Sequence, residues 1–128
     1  MILRLMMIGA GGFAGAVLRY LVSGVVQGFF RNTTFPVGTF LVNVSGCFAI
    51  GFLYHLSESR GFLTEAGRAF LLVGLLGGYT TFSAFGNESF ILMKSRESLL
   101  ALVNVAGQVT LGLAAVWLGR DLAHYIWR

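Results

Sequence analysis

Four stretches of this chain, residues 5–27, 37–56, 70–93 and 99–118, are each mainly apolar and about twenty residues long, the length an α-helix needs to cross the hydrocarbon of a bilayer. Nothing else in the sequence constrains the fold as strongly. In lipid every backbone N–H and C=O must find its partner inside the protein, so spanning segments are helices or closed barrels, and runs of this length fit helices. The connecting pieces FRNTTFP, SESRGFLTEAGR and KSRE are dense in charge or turn residues, and Pro36 stands where a first-turn proline opens the second span. Only 11% of the residues are charged, too few for the polar coat of a small soluble globule, where about 25% is usual. The expected fold is an all-α membrane protein, one domain over residues 1–128 with four transmembrane helices.

The same inventory excludes several classes of function. The nine Lys and Arg residues stand singly between apolar runs and form no phosphate-binding patch, so nucleic acid is not an expected partner despite a net charge of +4. His55 and His124 lack metal-ligand spacing, no pair of acids shares a pocket, and GAGGFAG lacks the βαβ setting of a nucleotide loop. No enzyme is expected. The lone cysteine, Cys47, makes neither an intrachain disulfide nor a cysteine metal cluster. Residues 1–16 have the apolar look of a signal peptide, but the run continues through Tyr20 and Leu21 with no convincing cleavage site, so it is read as the first helix. The tail to Arg128, with Trp117, Tyr125 and Trp127, reads as an amphipathic extension near the membrane interface.

Polar residues inside the spans are costly, and that makes them functional candidates. Helix one has Gly11 and Gly15 four apart, a spacing that lets helices approach, and Arg19 about two thirds of the way along. A cation at that depth is paired or hydrated: Arg19 either draws an anion towards a vestibule or neutralises Glu88 in the same half of the membrane. Helix two places Asn43 about a third of the way in, with Ser45 and Gly46 beside it; an uncharged amide donates hydrogen bonds without trapping an ion. Helix three reads GLLGGYTTFSAFGNE, with Gly77, Gly78, Thr80, Thr81 and Ser83 near its midpoint. Double glycine followed by two threonines is poor helix text, so a break near the midplane is expected, its free carbonyls suited to a cation. Phe82 and Phe85, three apart, share a face if the helix resumes. Their rings are either core or a surface whose positive edges meet a small anion. Helix four carries Asn104 and Gln108 at i and i+4, a stripe that suggests a wet seam. Counted by depth, Asn43, Phe85 and Asn104 lie at similar levels, with Gln108 and the break nearer the middle, so they fall along one path.

With four spans the termini share a face. That face has Arg4, Arg60, Arg68, Arg120 and Arg128; the other has Arg31, Lys94 and Arg96. Such a weak bias leaves two readings, one fixed orientation with the termini inside, or insertion both ways with an antiparallel dimer as the product.

GTFLVNVSG in helix two, GGYTTFSAF in helix three and an arginine late in helix one together resemble the small fluoride channels of microbes, the Fluc or CrcB family. The resemblance spans nearly the whole chain. It implies an antiparallel, dual-topology homodimer in the inner (plasma) membrane, with two fluoride pores along the subunit interface and a structural Na⁺ held by backbone carbonyls, here those of Gly77 and Thr80. It places Asn43, Phe82 and Phe85 in the pore and Asn104 and Gln108 on the rail of helix four; Thr81, Ser83 and Arg19 are the further residues expected to line it. The chain departs from the family's frequent TTFSTFS at Ala84 and Gly86. With no nucleotide motif to supply energy, the flow implied is passive export of F⁻, which lowers its toxicity in the cytoplasm. The rival readings are a small antiparallel multidrug exchanger, which needs a membrane-embedded acid where helix one has Arg19, and a structural membrane subunit.

Overall fold

Apolar text of this length becomes uninterrupted helix in three of the four spans. The computed structural model describes residues 1–61 and 63–127, so Arg128, one of the cations of the charge count, lies outside the described residues, as does the side chain of Arg60. Helix α1 is Ile2–Phe29, α2 is Val37–Arg60 and α4 is Ser98–Ile126. The third span, α3, covers Glu65–Lys94. These helices outrun the apolar stretches that announce them, because hydropathy marks the part that meets hydrocarbon and the helix continues beyond it. Past residue 118, α4 is held to α2 by Arg120, which donates to Glu58 Oε2 at 3.1 Å, and by Trp127, whose ring meets Phe52 edge-on at 5.8 Å.

The ends are set by local chemistry. Gly61, at φ +57°, supplies the left-handed residue that closes α2. The Thr64 hydroxyl accepts the Gly67 N–H at 3.1 Å and starts α3. Pro36 sits just before the first turn of α2, and Gln27 pins that entry by donating to the Phe35 carbonyl and accepting the Gly38 N–H.

The four helices pack as two parallel pairs. In lipid no hydrophobic force draws helices together, so close backbone approach and van der Waals contact must do so. Gly11 and Gly15 of α1 lie against Gly74 and Gly78 of α3, two glycine steps of four residues meeting face to face. A Cβ on Gly15 would run into the carbonyl of Leu75, and one on Gly78 would lie 2.5 Å from the carbonyl of Gly12. The α2/α4 pair follows the same principle: Gly51 lies against the Val116 carbonyl and Gly119 against that of Phe48.

Helix α3 changes partners halfway. Its first half runs as an α-turn Glu65–Arg68, a π-helical stretch Ala69–Leu76 and a last turn Gly77–Tyr79. Thr80 (φ −84°, ψ 157°) and Thr81 (φ −150°, ψ 114°) are extended, and Phe82–Lys94 is helical again. The first half packs on α1 and the second on α4. The third helix is therefore bent at its midpoint, at the two threonines.

Much apolar surface stays uncovered. The accessible area is 8222 Å², against about 6,600 Å² expected for a soluble monomer of this mass. Phe82, beside the bend, is 82% exposed. With its four spans this is a multi-pass membrane protein.

The glycine contacts make a direct prediction. Gly15→Ala must push α1 away from α3 and should destabilise the protein by about 1–3 kcal/mol. Gly24→Ala, where an added Cβ meets nothing within 4 Å, should be neutral or better. Unfolding in mixed micelles checks both.

Candidate functional site

The bend is built by redirecting hydrogen bonds. In a continuous helix the Thr81 N–H would donate to the Gly77 carbonyl and the Ala84 N–H to that of Thr80. Here Thr81 N–H donates to Asn43 Oδ1 at 2.8 Å, and Ala84 N–H to the Thr81 hydroxyl at 3.2 Å. The carbonyls of Gly77 and Thr80 are thus among those at the bend that lose their helical donors. The Thr80 hydroxyl and amide both donate to the Leu76 carbonyl at 3.0 Å, which closes the first half of α3. Thr81 serves as N-cap of the second half. Gly46 of α2 is required here, since a Cβ at that position would collide with the methyl group of Thr80.

A side-chain chain extends from the bend across the bundle. Asn43 Nδ2 donates to the Thr81 carbonyl at 3.1 Å and to Gln108 Oε1 at 2.7 Å. Gln108 Nε2 donates to Asn104 Oδ1 at 2.9 Å, and Asn104 Nδ2 to the Ser89 hydroxyl at 2.9 Å. Ser89 in turn donates to the Phe85 carbonyl at 2.8 Å. The chain leaves α3 at Thr81, crosses α2 and α4, and returns to α3 at Ser89, eight residues on, to end on the Phe85 carbonyl.

Two hollows flank the bend, and Thr81 lies on the wall of both. The narrower, about 380 Å³, is lined by Asn43, Thr80, Thr81, Phe82, Phe85, Gln108 and Gly77 among apolar neighbours, with no charged side chain among its described residues. The rings of Phe82 and Phe85 stand 5.4 Å apart, tilted by 54°. The wider, about 560 Å³, has Arg19, Thr39, Ser83, Asn87 and Glu88 on its wall.

Most of the residues singled out in the sequence therefore meet around the bend. Asn104 is the exception: it is fully buried, lies behind Gln108 and reaches neither hollow. Arg19 and Glu88 share the wider hollow, yet no ion pair joins them. Glu88 Oε1 instead accepts from the Thr39 hydroxyl at 2.6 Å, while its buried Oε2 has no hydrogen-bond partner. Sequence reasoning missed Ser89 and Thr39. The available signal was spacing: Ser89 lies one helical turn after Phe85, and Thr39 one turn before Asn43.

Comparison with known proteins agrees across nearly the whole length. A family model described as CrcB-like protein, Camphor Resistance (CrcB), matches residues 6–120. Fluoride-specific ion channel FluC 1 of Methanosarcina acetivorans is 44% identical over 126 residues, 95% of each chain. Fluoride-specific ion channel FluC of Flavobacterium psychrophilum is 42% identical over 116 residues, 91% of this chain and 93% of that one. Its namesake in Chlorobaculum tepidum is 44% identical over 125 residues, 98% of this chain and 97% of that one.

Proposed function

The chain belongs to the CrcB-like protein family, and from that premise, joined to the neutral polar wall around Thr81, we propose that it is a passive fluoride-selective channel of the plasma (inner) membrane. It lets F⁻ leave the cytoplasm down its electrochemical gradient and so lowers fluoride toxicity.

The observation that carries the reading is the chemistry of the narrow hollow: amides, threonine hydroxyls and two phenyl rings, with no fixed charge among the described lining residues. Fluoride is small and strongly hydrated, so a pore must replace its water with several donors. A cation at each step would hold it too tightly for release, since conduction needs sites weak enough to leave. The second N–H of Gln108, the hydroxyl hydrogen that the Thr81–Ser83 pair keeps free, and the positive edges of Phe82 and Phe85 meet both needs. Arg19 stands apart in the wider hollow, where it shares the wall with Glu88 and offers its guanidinium to an arriving anion. The path runs from there past Ser83 and Thr81 to Phe82, Phe85, Asn43 and Gln108. Asn104 supports Gln108 from behind.

The functional unit is an antiparallel homodimer with two pores along its interface. Three features support this: the large accessible surface, the exposed Phe82 at the edge of a polar hollow, and a charge bias too weak to fix one orientation. A second copy inserted the other way turns the open hollow into a closed passage.

The bend also suits a structural Na⁺. The carbonyls of Gly77 and Thr80 have lost their helical donors, and both residues lie on the wall of the narrow hollow. Neutral oxygens of this kind fit a hard cation, and the same pair on each subunit would hold it at the dimer axis. Bound there, the ion offsets carbonyl dipoles that would otherwise remain unpaired within the membrane.

Purified protein in liposomes should release fluoride and reject chloride, and Phe85→Ile should slow fluoride at least tenfold; a fluoride electrode reads both. Equal passage of chloride, or no passage of either ion, overturns the channel. For the assembly, single cysteines in the KSRE loop of a Cys47→Ser background should be labelled from both faces of intact cells. Labelling from one face only overturns dual topology.

A further inference from the structure

We propose that Asn43 is a positioning residue that holds the bend of α3 open, and that the amide hydrogen offered to an anion in the narrow hollow belongs to Gln108. This rests on the channel reading above and assigns roles within it.

The number of amide hydrogens decides which group stays free. A side-chain amide has two N–H donors and one acceptor oxygen. Thr81 contributes a backbone N–H, which only donates, so the Asn43 atom facing it is the oxygen. That places Nδ2 against two acceptors, the Thr81 carbonyl and Gln108 Oε1, and each takes one hydrogen. Both Asn43 donors are spent inside the protein. The orientation then propagates: Gln108 turns Nε2 towards Asn104 Oδ1, Asn104 turns Nδ2 towards Ser89, and the Ser89 hydrogen goes to the Phe85 carbonyl. Backbone groups at the two ends, the Thr81 N–H and the Phe85 C=O, thus fix every amide between them.

One hydrogen is left over where an anion can reach it. Gln108 donates only once, to Asn104, and it is half-buried on the wall of the hollow with Phe82 and Phe85. Asn104 also donates once but is fully buried. Asn43 therefore acts through others: it takes the N–H that would otherwise return to the Gly77 carbonyl, and it points the Gln108 amide into the hollow.

Two variants separate these roles, using full-length protein. Fluoride release from liposomes is measured over a range of Na⁺ for wild type, Asn43→Ser and Gln108→Met, together with deuterium exchange of the amides of residues 79–84. Serine keeps one hydroxyl but cannot bridge both Thr81 groups. Asn43→Ser should speed exchange over 79–84 at least tenfold and raise the half-activating Na⁺ concentration at least tenfold, so that flux lost at low Na⁺ returns at high Na⁺. Gln108→Met should lower flux at least tenfold at every Na⁺ concentration, with the midpoint unmoved. The proposal is overturned by wild-type exchange in Asn43→Ser, by a flux loss there that no Na⁺ concentration restores, or by undiminished flux in Gln108→Met. Na⁺-independent flux in the wild type overturns the link from Asn43 to the carbonyl site and leaves the channel intact. A wild type that passes no fluoride sinks the channel reading instead, and the exchange comparison still decides whether Asn43 holds the bend.

Discussion

One side chain makes it possible for this chain to leave the helix in the middle of a membrane. Asn43 accepts the Thr81 N–H and donates to the Thr81 carbonyl, closing both backbone groups of the residue at the bend. Interhelical hydrogen bonds in membranes are individually modest, about 0.6 kcal/mol on average. An unsatisfied backbone group in hydrocarbon costs several kcal/mol, so the value of Asn43 lies in the penalty it removes rather than in the strength of its bonds. Without such a partner the cheaper solution is to continue the helix, returning the Thr81 amide to Gly77 and the Ala84 amide to Thr80.

The two halves of α3 use opposite kinds of contact. Below the bend, glycine meets glycine against α1 and leaves no room for polar side chains or water. Above it, α3 meets α4 through the Ser89 hydroxyl and the Asn104 amide, which Gln108 extends along α4. A close-packed half next to a polar half puts the donor-lined surface beside the bend, with Thr81 on the wall of both hollows. The proposed passage follows from this change of partner, since an unbroken α3 would stay on α1 and the seam with α4 would not form.

The parts of this arrangement that one helix decides alone were legible in the sequence. Span length and count follow from hydropathy, and the position of the bend follows from GGYTT, whose glycines and threonines are poor helix text wherever they stand. Relations between helices were not. Depth counting put Arg19 and Glu88 in the same half, but depth says nothing of azimuth, and Glu88 turned to Thr39. The i, i+4 spacing put Asn104 and Gln108 on one stripe, yet that stripe curves from the seam to the wall, so only Gln108 reaches the hollow. Ser89 was easily passed over because a serine within a helix usually bonds its own backbone, which it also does here while accepting from Asn104. The π-helical stretch AFLLVGLL has no signature that distinguishes it from ordinary helix.

The backbone at two residues decides whether the helix is broken. Threonine-selective ¹³C labelling and solid-state NMR in lipid bilayers read the conformation of Thr80 and Thr81 directly, through Cα and Cβ shifts that differ in sign between helix and extended chain. The prediction is extended shifts for both, between helical Tyr79 and helical Phe82, with the Thr81 amide in contact with the Asn43 side chain. Helical shifts at both threonines would contradict it.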